Sequence, residues 1–502
     1  MMSKYYLGID VGSSSVKASI FDAEKGISVG HATFPPTEQP IDSDQAGWAE
    51  QDPELWWHNF LAGYAQIVSE HKIKTNQIDG IGISYQMHGL VAVDKKGDVL
   101  RKSIIWCDSR AVEIGETALQ ELGESYCNSH LLNSPGNFTA SKLRWVKENE
   151  PDKYAQIHKF MLPGDYIAFR LSGEYSTTNC GLSEGVLWDF KNRSLSKTVL
   201  SYFGFEDSLI PEVVPNIGFQ GTVSRSVTDL LGLKANVPIT YRAGDQPNNA
   251  FSLGVMQPGE VATTAGTSGV IYAVTDTDTF DPQSRINTFL HVNDSALDKR
   301  NGVLVCVNGA GALYSWLKRF LNHNDGHLSY KQMNDLASLS EPGSQGVRFF
   351  PFGNGAERIL GNRLIQANIM GLDFNRHNEE HVLRAGMEGI VFALNLGFDI
   401  LKSTGVSRET IKAGHANLFL SQTFRTIFAN VTQTSLLVFE TDGADGAARG
   451  AALGAGFYNR SENAFDSVKR IHTVEPQQAL KTQYEDIYGQ WKAVVENLSE
   501  IV

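Results

Sequence analysis

Asp245 closes a short apolar run, Val237-Pro-Ile-Thr-Tyr-Arg-Ala-Gly244, and is followed by Gln246, Pro247, Asn248 and Asn249. An Ala-Gly pair before an acid and a Pro after it give a tight turn at a strand tip, where backbone and ligand can approach closely. A carboxylate so placed can position a hydroxyl and take its proton. A Gly-Asp pair is also an ordinary turn, so the surrounding motifs decide. Two of them carry groups that hold anions. A β-rich run, a Gly-[Ser/Thr]-Ser tip and a second β-rich run occur at residues 7–21, with Gly12, Ser13 and Ser14 at the tip, and again at 260–274, with Gly266, Thr267 and Ser268. The N–H groups and hydroxyls of such tips can hold a triphosphate without a helix-based P-loop, and no Gly-x-x-x-x-Gly-Lys-Ser occurs in the sequence. The first hairpin is preceded by Asp10, suited to Mg²⁺ held through water, because magnesium takes few carboxylates and completes its shell with phosphate. Lys17 follows it.

The elements that must carry these groups are read from periodicity. Strands are expected at residues 5–10, 16–21 and 27–34, and a helix from 53 to about 70 with Asp52 as its cap and Pro53 in its first turn. The Trp56, Trp57 and Phe60 spacing marks its core face. A buried strand at 78–84 delivers Tyr85-Gln-Met-His-Gly89 to its end, where open α/β sheets bind ligands. Residues 90–93 and 99–106 read as a hairpin around the Lys95-Lys-Gly-Asp98 turn. Helices are expected at 110–122, 165–171, 224–231, 249–253, 311–321, 378–404 and 423–433, with the last helix starting near Gly446. Residues 281–301 read as a long surface excursion. The repeated hairpin plan, half a chain apart, predicts an α/β protein of two lobes built alike, 1–246 and 247–502.

Composition bounds the function. At 502 residues the chain is too long for one ordinary core. Its 56 acidic against 43 basic residues, a net charge of -13, argue against broad nucleic-acid or anionic-membrane binding. The four cysteines, Cys107, Cys127, Cys180 and Cys306, show no metal or redox spacing; Cys107 is expected to pack. Asp10 arrives too early for a signal-peptide core, and residues 389–401 are too short to span a bilayer. A cytoplasmic location is expected.

The order Gly8-Ile-Asp-Val-Gly-Ser-Ser-Ser-Val-Lys17, Gly47-Trp-Ala-Glu-Gln-Asp-Pro53, Gln86-Met-His-Gly89, Trp106-Cys-Asp-Ser-Arg110, Gly244-Asp245 and Gly266-Thr-Ser-Gly269 resembles the FGGY carbohydrate kinases, and most of all those members that act on D-xylulose. The resemblance spans nearly the whole chain. It implies two actin-like, ribonuclease-H-like lobes with a cleft between them, MgATP and a small sugar as ligands, and a homodimer. It makes Asp245 the base that takes the proton of the sugar hydroxyl, with Asp10 and Asp245 toward Mg²⁺. Met87 and His88 match ketose-contacting positions; Gln246 lies beside them, and Trp106 and Asp108 shape the sugar wall. Ser13, Ser14, Lys17, Gly266, Thr267 and Ser268 would face the phosphates. Gly311, in the helix start Asn308-Gly-Ala-Gly-Ala-Leu-Tyr-Ser-Trp316, and Gly414 and Asn417, in an adenine-side loop, would complete the nucleotide site.

Several positions depart from that pattern. Gln246 stands where many of those members carry Asn, and the loop Phe350-Pro-Phe-Gly-Asn-Gly-Ala-Glu-Arg358 has an extra small residue and lacks the following Pro. His415 and Asn417 replace glycine and a basic or polar residue. The alternatives are a kinase of another sugar or polyol, such as ribulose, gluconate, fuculose or glycerol, and an actin-fold sugar-binding regulator without catalysis.

Overall fold

A computed structural model describes residues 4–322 and 328–501. The chain divides into two compact units that are discontinuous in sequence. The first comprises Met1–Gly254, Phe289–Asn301 and Thr441–Val468, and the second Val255–Thr288, Gly302–Glu440 and Lys469–Val502. A single cut after residue 246 therefore does not describe them, because two later segments return to the first unit.

The first unit is built on a five-stranded sheet. Its strands are β1 (Tyr5–Val11), β2 (Val16–Asp22), β3 (Ile27–Phe34), β4 (Ile78–Tyr85) and β5 (Ile239–Gly244), in the order β5-β4-β1-β2-β3. β1, β2 and β3 form the antiparallel meander read from the sequence, while β4 and β5 join β1 in parallel. On one side lies the helix Pro53–His71, capped by Asp52, with Trp56, Trp57 and Phe60 buried as expected. Another helix, Gly443–Gly454, packs against the same sheet at backbone distance. A Cβ on Gly8 would stand 1.9 Å from the Ala444 carbonyl oxygen, and one on Gly82 would stand 2.0 Å from that of Ala447. Only glycine permits so close a crossing.

A seven-stranded sheet, most of it in the second unit, comprises β6 (Glu260–Ala265), β7 (Gly269–Thr275), β8 (Asn287–Leu290), β9 (Asn301–Val307), β10 (Thr410–Gly414), β11 (Leu436–Phe439) and β12 (Arg470–Val474), in the order β8-β9-β7-β6-β10-β11-β12. β6 and β7 form the second expected hairpin. The core of the second unit is organised around the buried helix Glu379–Ser403.

Some expectations are corrected. Residues 281–301 are not a mere surface excursion: they contain β8, and Phe289, Leu290 and His291 are buried. The 90–93/99–106 hairpin survives only as isolated bridges. Val91–Val93 pairs instead with Lys159–Met161, and Ser103–Ile104 with Glu50–Gln51. The helix expected at 249–253 starts earlier, Asp245–Ser252, because Pro247 sits in its first turn, where no N–H is required. The helix near Gly446 begins at Gly443 and is not the last: Lys481–Ile501 follows, with Tyr484, Ile487, Trp491 and Val495 buried. Cys107 is exposed rather than packed. Among the described residues, no helix is long and apolar enough to cross a membrane.

Candidate active site

Parallel register brings three strand ends of the first unit to one edge of its sheet. Val11 is level with Tyr85, and Tyr85 with Gly244, so the β1–β2 hairpin, the Gln86–Gly89 loop and Asp245 leave the sheet side by side. Asp245 opens a helix directly from β5, with Gly244 as its cap residue. A Cβ on Gly244 would lie 2.6 Å from both Met87 Cγ and Glu184 Oε2, so the glycine makes room for the loop and for a buried acid.

Burial, and then the charge of Asp10, push the Asp245 carboxyl from 3.8 up to about 7. An acid with that affinity takes and releases protons near neutrality, as general acid–base chemistry requires. Asp10 is also raised, by burial and secondarily by Asp442, against the opposing pull of Lys17 and Ser84. Lys17 Nζ lies 3.9 Å from Asp10 Oδ2. Gly443 faces this carboxylate so closely that a Cβ there would stand 2.4 Å from Oδ2. The Asp10 charge raises Asp245, and a divalent cation beside these carboxylates would relieve that repulsion.

The tip of the first hairpin is held from behind. Gln39 Nε2 donates to the carbonyls of Gly12 and Ser13 at 3.0 and 2.9 Å, and Gln51 Nε2 donates to that of Ser13 at 2.6 Å. Ser14 is exposed and Ser13 half-buried, and Trp106, half-exposed, reaches Ser13 Oγ at 3.4 Å. Gln246 follows Asp245 in the same first turn and is half-buried. Asp108 is fully buried and spends its carboxylate inside the loop, accepting from Ala49 N at 2.6 Å and from Arg110 Nη2 at 2.7 Å. It shapes the wall rather than presenting an oxygen.

Met87 is buried, and His88 adopts a left-handed φ of 61°, a conformation that a non-glycine residue holds only when its surroundings impose it. Those surroundings escaped the sequence reading. Lys142, buried and lowered by that burial to about 7, donates to the His88 and Ile105 carbonyls, each at 2.9 Å. Glu184 accepts from His88 N at 3.4 Å, and its main-chain carbonyl lies 2.9 Å from His88 Nδ1. Since a carbonyl only accepts, Nδ1 carries a proton. No motif marks Glu184. Lys142 gave a faint signal as a cation on the apolar face with Leu143 and Val146.

In the second unit, the Gly266–Ser268 tip meets the helix Ala310–Leu321. Gly311 N donates to the Gly266 carbonyl at 2.8 Å and Ala312 N to that of Thr267 at 3.0 Å. The helix start also meets an acid of the chain's own. Asn308 N and Gly309 N donate to the two Glu357 carboxylate oxygens at 3.0 and 3.1 Å. Burial pushes Glu357 up to about 7 against those two bonds. A cavity of about 340 Å³ opens beside the tip, lined by Gly266, Thr267, Gly311, Tyr314, Tyr330 and Asn417, within the size range of small-ligand sites. Asn417 takes a left-handed φ of 53°, and Gly414 ends β10 just before it. Thr267 is exposed at the rim and Ser268 half-buried.

Comparisons with known proteins bear on the family and the fold. Residues 5–252 match the N-terminal domain of the FGGY family of carbohydrate kinases, and residues 261–458 its C-terminal domain. A xylulose kinase of Haemophilus influenzae is 29% identical over 99% of this chain and 100% of its own. The crystal structure of a xyloylose kinase from Brucella ovis superposes with a TM-score of 0.88 at 25% identity, covering 99% of this chain and 100% of that one. A gluconate kinase from Lactobacillus acidophilus shares the fold equally well, TM-score 0.88 at 21% identity over 99% and 98% of the two chains.

Proposed function

From the premise that the chain belongs to the FGGY family of carbohydrate kinases, we propose that it phosphorylates D-xylulose to D-xylulose 5-phosphate with MgATP, using Asp245 as the base. The observation that carries this is the shared sheet edge, where a carboxyl poised near neutrality leaves β5 beside the Met87–His88 loop and the Asp10 hairpin. Asp245 takes the proton of the sugar hydroxyl as its oxygen bonds to the γ-phosphorus. The bond to the β,γ-bridging oxygen breaks, and its electron pair leaves with ADP. Most of the acceleration comes from alignment and charge neutralisation. Mg²⁺, held toward Asp10 and Asp245, supplies that neutralisation when bound. Lys17 adds a fixed positive charge beside Asp10, and Gly266, Thr267 and Ser268 serve the nucleotide phosphates. The Tyr314–Asn417 cavity serves the base, with Gly414 behind it.

The substrate assignment is supported by the xylulose kinases among the relatives and by the Gln86-Met-His-Gly89 loop. Gln246 and the gluconate kinase fold keep a second reading, a kinase of another sugar or polyol, in view. Coupled ADP release measured across D-xylulose, ribulose, gluconate, fuculose and glycerol separates them. D-xylulose should give the highest kcat/KM, and a higher value on another acceptor overturns the assignment. The same reading places the enzyme in the cytoplasm as a homodimer, which sedimentation tests.

A further inference from the structure

We propose that Glu184 is a positioning residue that ties the sugar-contacting loop to the strand end bearing Asp245. This inference rests on the reading of Met87 and His88 as sugar contacts. Glu184 ends the short helix Asn179–Glu184 and is 1% exposed. Three contacts converge on this one residue. Its Oε1 accepts the His88 N–H, and its carbonyl fixes the His88 ring through Nδ1. Its Oε2 occupies the space that a Gly244 side chain would need, beside the Met87 thioether. Lys142 grips the His88 carbonyl from the other side, so the backbone at His88 is held by a buried acid on its N–H and a buried amine on its oxygen. The left-handed φ of His88 is what this clamp maintains.

The chemistry of the clamp specifies which replacement preserves it. The charged and titratable groups around Glu184 are Asp165, Asp245, Tyr85, Lys142, Cys180 and His88, and burial with the negative neighbours Asp165 and Asp245 drives its proton affinity far up. A neutral carboxyl still offers a carbonyl oxygen to the His88 N–H, and a glutamine offers the same oxygen at the same reach. Alanine offers none, and aspartate is one methylene too short.

The test compares E184Q, E184A and E184D with the wild type on whichever sugar the wild type turns over, so the outcome of the substrate panel leaves this comparison intact. Sugar binding is also measured by calorimetry without nucleotide. E184Q is expected to keep the sugar KM and Kd within about threefold of wild type. E184A and E184D should raise both about tenfold or more, the size expected when a buried N–H loses its acceptor. The KM for MgATP should stay unchanged in all three, because the clamp reaches His88 and Gly244 and none of the residues assigned to the nucleotide. Thermal melts identify any variant that has lost its fold, and where E184A has, folded E184D compared with E184Q decides. An unchanged sugar KM in folded E184A overturns the proposal, as does an equal loss in folded E184Q and E184A or a parallel rise in the KM for MgATP.

Discussion

Replacing Asp245 with asparagine removes a proton acceptor while keeping its shape, and the two consequences run in opposite directions. In the folded protein the carboxyl binds its proton up to about pH 7, against an ordinary 3.8, first because it is buried and then because Asp10 is near. Below about pH 4 it is neutral in both the folded and the unfolded chain, so it contributes no difference. Between about pH 4 and 7 the unfolded chain is ionised and the folded one is not, so unfolding releases a proton and stability falls as pH rises. Above about pH 7 the full penalty is in place. Roughly three units at about 1.4 kcal/mol each set a ceiling of about 4 kcal/mol, reduced in practice because Asp245 keeps some contact with water. The Asn variant should therefore match the wild type near pH 4 and exceed it by up to that amount at pH 8. Turnover should fall roughly 10²- to 10⁴-fold, the usual share of a general base, or about 2.7 to 5.4 kcal/mol of transition-state stabilisation. Denaturant unfolding from pH 4 to 8 in EDTA reads the first effect, since a bound cation would offset the repulsion from Asp10. Coupled ADP release with MgATP reads the second. A stability difference that does not change with pH refutes the burial argument, and more than a tenth of wild-type turnover refutes Asp245 as the base.

Two other sites give separable outcomes. Gly443→Ala places a Cβ 2.4 Å from the Asp10 carboxylate, so the Mg²⁺ concentration needed for half-maximal rate should rise about tenfold while the sugar KM stays constant; an unchanged Mg²⁺ dependence would detach Asp10 from the cation. Glu357→Ala strips the acceptor from the Asn308 and Gly309 N–H groups. It should lower stability by about 1 to 3 kcal/mol and raise the KM for ATP more than that for sugar, as read by urea midpoints and initial rates.

What the sequence disclosed and what it withheld follow from the range of the interactions. The Asp52 cap, the two Gly-Ser hairpins and the acid after Gly244 are local signals. Each is written within about five residues, and each appears in the structure where it was read. Val91–Val93 finds its partner nearly seventy residues on, and nothing in its own stretch names Lys159–Met161. Glu184 and Lys142 reach His88 from residues far along the chain, and a buried acid or amine looks like any surface charge until its neighbours are known. The helix Lys481–Ile501 is a different case. Tyr484, Ile487, Trp491 and Val495 recur at intervals of three and four, a pattern present in the sequence but diluted by the charged residues between them.

The late return of the chain explains why the acid near the end of β1 behaves as it does. Asp10 stands beside the tip of the β1–β2 hairpin, opposite Lys17, and its carboxyl is raised first by burial. Gly443, some 430 residues away in sequence, faces that carboxylate so closely that a side chain there would collide with it. The helix that Gly443 opens can settle there only because Gly8 and Gly82 present bare backbone to the Ala444 and Ala447 carbonyls. The Asp442 cap that starts the helix adds the negative charge that raises Asp10 further. The glycines of β1 and β4, the Gly-Ala face of a helix near the other end of the chain and the acidity of the site are thus one arrangement. A larger side chain at Gly8 or Gly82 would lift the helix, open Asp10 to water and lower its proton affinity. A more fully ionised Asp10 would in turn hold the Asp245 proton more tightly, because the Asp10 charge is what raises Asp245 after burial.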